Sequence, residues 1–258
     1  MHIIDDVIDR LTIIVHTAEQ DQSPIGYFAA LYRCMTVAVR DGIRQGRFDD
    51  AKRMEALDVC FAKRYIDAYD TYLAGRKPTQ AWQQAFASTA NNQLTVMQHL
   101  ILGINAHINL DLAIAAAETA PGAAIHALQT DFNRINAIIA ELTEQVQDKL
   151  ADIWLPFRLL DDALKTDDEG MINFSIRVAR TFSWSAAVAL APLADAQKRT
   201  KIGEMDRQVA LLADRVIRPG WLLSSALRII RLGESGSVAE KIRLLGSAVQ
   251  LDKLVNQA

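Results

Sequence analysis

Residues 98–117, QHLILGINAHINLDLAIAAA, constrain this chain more than any other stretch. On a wheel of about 100° per residue, Leu100, Ile101, Leu102, Ile104, Ile108, Leu110 and Leu112 point in nearly every direction. A helix that is apolar all round belongs inside a domain, wrapped by other helices. The rest of the chain can supply that wrapping. Apolar residues recur at helical spacing almost throughout, alternating β-branched runs are absent, and glycine and proline fall where helices should stop. The expected fold is therefore all-α, a single compact domain over 1–258 of about eight to ten helices packed around a buried central helix at about 92–118. The polar stretch Leu159–Met171 marks a weak possible boundary near 156–170.

Punctuation sets the other helices. The spacing predicts helices over 3–19, from Pro24 to about Arg44 with Ser23 as N-cap, and from Asp49 or Asp50 to about Ala74. GRKP at 75–78 breaks the third, and Thr79 is expected to cap a short helix through Ala87. Further helices are expected at roughly 123–150, 172–190, 195–217, 220–232 and 238–254.

Charge and composition exclude several function classes. With 28 Lys plus Arg against 31 Asp plus Glu, the chain lacks the basic excess of a general nucleic-acid binder. Two cysteines, Cys34 and Cys60, make neither a disulfide framework nor a zinc ribbon. The start, MHIIDDVIDRL, has no basic n-region and does not read as a signal peptide. No transmembrane segment is expected, the best candidate, WSAAVALAPLA, being short and broken by Pro192. The expectation is a soluble, cytoplasmic protein. Trp221, Arg228 and Arg231 would suit a membrane surface, but the segment reads more simply as a packed helix.

Polar groups on the central helix need partners, because an unpaired buried group costs about 1–3 kcal/mol. His99, Gly103, His107 and Asp111 step by four down one side, while Gln98, Asn105 and Asn109 lie opposite. His107 and Asp111 are i, i+4 neighbours that can share a metal ion, or Asp111 can orient the imidazole. His99, about 12 Å further along the axis, suits an acid/base role or a second ion. Gly103 lets a backbone or a ligand come close, and the opposite stripe of Gln98, Asn105 and Asn109 suits amide hydrogen bonds between helices. On the third helix Glu55 and Asp58 sit inside an apolar stripe and require a cation. That cation is a metal, a protonated histidine or an arginine. Arg177 and Arg180 either neutralise Glu55, Asp58 or Asp131, or grip an anionic substrate. Asp131 itself resembles a capping residue.

Two functions are compatible with this pattern. One is a metal-dependent hydrolase acting on an anionic, phosphoester-like small molecule. In it a divalent zinc, manganese or iron ion sits on His107, Asp111, Glu55 and Asp58, His99, Arg177 and Arg180 serve catalysis, and Gly103 and Asn105 line the ligand site. The other is a non-catalytic helical protein that binds a small molecule, its His, Asp, Glu and Arg side chains forming an internal network.

The segments GYFAALYRCMTVAVRDGI, RFDDAKRMEALDVCFAKRY, QHLILGINAHINLDLAIAAA, DFNRIN and SIRVAR, in that order over roughly residues 25–190, resemble a mainly bacterial family catalogued as domain of unknown function 5995. The resemblance implies a compact all-helical protein and no particular activity. The His107/Asp111 pair is also similar to one in the helical zinc-dependent phospholipase C and single-strand nuclease group. The further histidines and N-terminal zinc ligand of that group have no counterpart here, so only the His107/Asp111 position carries over.

Overall fold

A computed structural model describes residues 3–136, 138 and 168–247, leaving aside the side chains of 168–177, 222, 223 and 226. Every described element is helical. Helix α1 spans Ile4–Gln20, α2 Ile25–Arg44, α3 Ala51–Leu73 and α4 Gln80–Ala87. The central rod is α5, Val96–Ala106, one π-helical turn at His107–Asp111, and α6, Leu112–Thr119. Helix α7 follows over 125–136. Then come α8, Asp168–Leu190, α9, Asp195–Ile217, α10, Trp221–Gly233, and α11, Val238–Gly246. The expected boundary at 156–170 falls mainly outside the described residues.

The rod is the core, as its all-round apolar surface requires. Helices α2, α3, α4, α8 and α9 all pack against it. Leu100, Leu102, Leu110, Leu112 and the run Ala113–Ala117 are buried. The alanines of α6 let α3 and α8 approach closely. Helix α11 closes the far side by packing on α1 and α2. There Ile242 lies over Gly26, where a Cβ would come within 2.4 Å of its side chain.

The most apolar stretch of helix is the central rod, not WSAAVALAPLA. Val96–Thr119 forms 24 continuous helical residues that include an 18-residue window with a mean hydropathy of 1.6, long and apolar enough by length and composition to cross a membrane. Its polar residues hide this in a count of consecutive apolar positions. In the fold 78% of that window is buried, as the core helix of a globular domain is.

Four helix starts are held by carboxylates from distant parts of the chain. The first amide groups of a helix have no intrahelical acceptor, and an anion there also meets the positive end of the dipole. Glu55 accepts from the Ile4 amide at the start of α1, 3.2 Å away. Asp131, fully buried, accepts from the Asp49 and Asp50 amides (2.8 and 3.0 Å) ahead of α3. Asp206 accepts from the Gln80 and Ala81 amides of α4 (2.8 and 3.0 Å). Glu234 accepts from the Val96 amide of α5 at 2.8 Å. These contacts correct two local expectations. Thr79 makes no side-chain cap, because Asp206 occupies its place. Ser23 makes none either, since α2 begins after Pro24. Asp50 does cap α3, accepting from the Arg53 amide.

Candidate functional site

The π-helical turn places His107 and Asp111 on one side of the rod, and extra-wide turns of this kind are frequent at functional positions. Asp111 is buried and accepts three donors. Arg64 Nε lies 3.0 Å from Oδ1, and Trp82 Nε1 lies 2.7 Å from Oδ2. His107 Nδ1 lies 3.2 Å from the same Oδ2. The sequence pairing of His107 with Asp111 is therefore present in space, and the cation facing Asp111 is the guanidinium of Arg64. Neither Arg64 nor Trp82 was legible as a partner. The available signal was Trp82 itself, because a buried indole N–H needs an acceptor.

The His107 ring lies in an aromatic box. It stacks on Phe61 at 3.6 Å between centroids and meets the edge of Tyr32 at 4.3 Å. Burial lowers its pKa, and the bond and charge of Asp111 only partly oppose this. With Asp111 accepting at Nδ1, the proton is assigned to that nitrogen, which leaves Nε2 as a lone-pair acceptor. Nε2 is buried and has no hydrogen-bond partner.

The acids of α3 separate in role. Glu55 turns to the start of α1. Asp58 points inward, 7% exposed, with Oδ2 unpartnered. Burial first, and Glu55 second, push its pKa up to about 8. Burial and then the Asp58 charge raise the pKa of the Tyr32 hydroxyl, and the neighbouring Thr36 side chain only partly opposes this. Among the described residues no group of three or more His, Cys, Asp or Glu side chains is arranged to hold a metal ion.

His99 belongs to a different place. It lines a cleft together with Pro24, Ile25, Phe28, Tyr65, Trp82, Ala85, Phe86, Thr89 and Gly103. The water-holding volume is about 20 Å³, room for one or two waters. Burial, reinforced by Arg231, lowers the His99 pKa to about 4, so the ring is neutral at pH 7. Its Nδ1 is buried and unpartnered, as is the Tyr65 hydroxyl. Gly103 is explained by the same wall: a Cβ there would sit 2.5 Å from the Phe28 ring. No charged side chain lines the cleft.

The other candidate residues make structural contacts. Arg180 is buried and donates to Asn136 Oδ1 and, at 2.7 Å, to the Phe132 carbonyl. Its guanidinium carbon sits 4.5 Å over the Phe132 ring, and burial lowers its pKa to about 9. Asp131 is taken by the α3 start, Arg53 and Arg134, not by Arg180. Asn105 donates to the Val209 carbonyl and accepts from Asn109, tying α5 to α9. Gln98 closes a capping box with Thr95 and donates to the Val216 carbonyl. Arg177 lies on α8 among the residues whose side chains are outside the described set.

A family model described as "Family of unknown function (DUF5995)" matches residues 4–219. The match reaches further in both directions than the 25–190 region of resemblance. No curated protein and no solved structure matches.

Proposed function

Because this chain belongs to the family of unknown function DUF5995, whose description names no activity, we propose a function from geometry: it binds a small, neutral, largely apolar molecule in the cleft between α2, α4 and α5. The carrying observation is the unpartnered Nδ1 of the neutral His99 imidazole, set among aromatic walls with no charged side chain in the cleft lining, the Arg231 cation acting on the ring from outside it. Apolar rings would supply the affinity and one buried polar atom the orientation; because the cleft as it stands has room for one or two waters, a ring-sized ligand enters only if aromatic wall side chains move aside. An anionic ligand would lose its hydration there and find no counter-charge in the cleft lining.

The hydrolytic reading is the alternative proposal, with zinc, manganese or iron on His107, Asp111, Glu55 and Asp58, and with His99, Arg177 and Arg180 in catalysis. It requires Asp111 to exchange Arg64 and Trp82 for the ion, and Glu55 to leave the start of α1. The contacts favour the binding reading.

One experiment tests both. Thermal unfolding of the untagged protein is followed with phenol, indole and benzyl alcohol, and separately with inorganic phosphate and with zinc or manganese. The binding reading expects the neutral probes to raise Tm and His99→Phe to abolish the effect. It falls if the neutral probes do nothing. Stoichiometric copurified metal, removed by chelator together with stability and lost in His107→Ala, would establish the alternative.

A further inference from the structure

From Arg215 to Gly233 the chain carries four arginines, Arg215, Arg218, Arg228 and Arg231, and no aspartate or glutamate. The whole chain has a formal net charge of -3, so this stretch is a local basic excess in an acidic protein. Most of it is helix α10, Trp221–Gly233. One side of α10 is packed. Ile230 joins the cluster of Val96, Leu100, Ile242 and Leu245. Arg231 donates to the Asn92 carbonyl at 3.1 Å and lies 3.3 Å from Glu234, the residue that holds the start of α5. At about 100° per residue, Trp221, Ser225, Arg228, Ile229 and Leu232 fall together on the opposite side. All five are exposed, with Trp221 at 80%, Ile229 at 67% and Leu232 at 87%. A helix anchored by one side normally turns polar residues to water. Here the outward side is mainly apolar and its one charge is a cation. That cation, Arg228, has no ion pair or hydrogen bond among the described residues.

We propose that α10 is a docking surface for an anionic phospholipid bilayer. The helix lies along the membrane surface, Trp221, Ile229 and Leu232 enter the boundary between headgroups and acyl chains, and Arg228 meets lipid phosphate. Charge selects this occupant. Arg215, in the last turn of α9, and Arg218, directly after it, add positive charge just ahead of Trp221. Each cation held near a negatively charged leaflet strengthens partitioning about fivefold. Tryptophan suits the same boundary, because its ring is apolar and its N–H is a donor. A second copy of the chain fits this face less well. A standard protein interface buries about 800 Å² on each partner. One tryptophan supplies about 150–250 Å² of that, and the stripe adds only one isoleucine and one leucine. Self-pairing would also set one Arg228-bearing face against another, with no acid on either to neutralise it. Binding at α10 requires nothing of the cleft.

Co-sedimentation of the full chain with vesicles tests this, comparing phosphatidylcholine alone with equal parts of phosphatidylcholine and phosphatidylserine. Binding to the anionic vesicles should exceed binding to the neutral ones by about tenfold or more, and should weaken as salt rises. Trp221→Ser combined with Leu232→Ser removes the inserted side chains and should cut anionic-vesicle binding about tenfold. Arg228→Glu exchanges an attraction for a repulsion and should cut it by about tenfold or more. These positions are exposed, so the helical circular dichroism and Tm of both variants should match the wild type. Phe182→Ser, which removes another highly exposed aromatic ring from α8, should leave binding unchanged. No sedimentation with either vesicle, equal binding to both, or an equal loss in Phe182→Ser would overturn the inference. So would sedimentation equilibrium that reveals a dimer dissociated by Trp221→Ser with Leu232→Ser.

Discussion

Replacing Asp58 with asparagine should make the protein more stable at neutral and alkaline pH. Asp58 is buried, its Oδ2 has no partner, and its pKa stands near 8 against an ordinary value of 3.8. In the unfolded chain the carboxyl ionises freely above pH 4. In the folded chain it holds its proton to about pH 8. The folded state therefore binds more protons at Asp58 between those limits, so the contribution of Asp58 to stability is greatest below pH 4, falls as pH rises, and levels off above 8. At about 1.4 kcal/mol per unit, the gap between pH 7 and the ordinary value gives an upper bound of about 4 kcal/mol. Relaxation of the site reduces this, so a gain on the order of 2 kcal/mol is expected for Asp58→Asn at pH 7. Urea unfolding of both proteins at pH 5, 7 and 9 reads the effect as a difference that widens with pH and saturates. Equal stability with an unchanged pH slope would refute the reasoning. A loss of stability at pH 9 would show that the Asp58 anion is balanced in the fold.

Three further predictions concern the contacts that shape the fold. Asp131→Ala leaves the Asp49 and Asp50 amides without an acceptor and should cost about 3–5 kcal/mol by chemical denaturation. Burial works against the Asp131 anion, but the Asp49 and Asp50 amides with Arg53 and Arg134 outweigh it and hold its pKa below the ordinary value. Its stabilisation is therefore present above about pH 4 and lost as pH falls through the lower folded value, so a wild-type acid transition steeper than that of Asp131→Ala is expected. Asp206→Ala should lower stability by about 1–2 kcal/mol and speed amide exchange at Gln80 and Ala81, where its two oxygens are bound. Gly103→Ala forces the Phe28 ring off the rod and should cost about 1–3 kcal/mol, with a change in the binding of neutral aromatic probes that Gly46→Ala, far from the cleft, does not produce.

The helical class was decided locally. Apolar periodicity, the breaks at Gly46, Gly75 and Pro121, and the capping aspartate at 50 are short-range properties, so the sequence alone placed most described helices within a few residues. The i, i+4 relation of His107 and Asp111 was legible for the same reason: a helix brings those side chains together whatever surrounds it. Partners contributed by other helices were not legible. Arg64 and Trp82 reach Asp111 from α3 and α4, Asp131 holds the start of α3 from 81 and 82 residues away, and Asp206 holds α4 from further still. A carboxylate advertises its need for donors through its chemistry, but which donors answer depends on how the helices cross. The crossings likewise decided that Gly103 faces the Phe28 ring and that His99 opens to a cleft while His107 lies behind it. Chain periodicity fixed which faces are buried, and only tertiary packing, acting between residues far apart in sequence, fixed what each buried polar group meets.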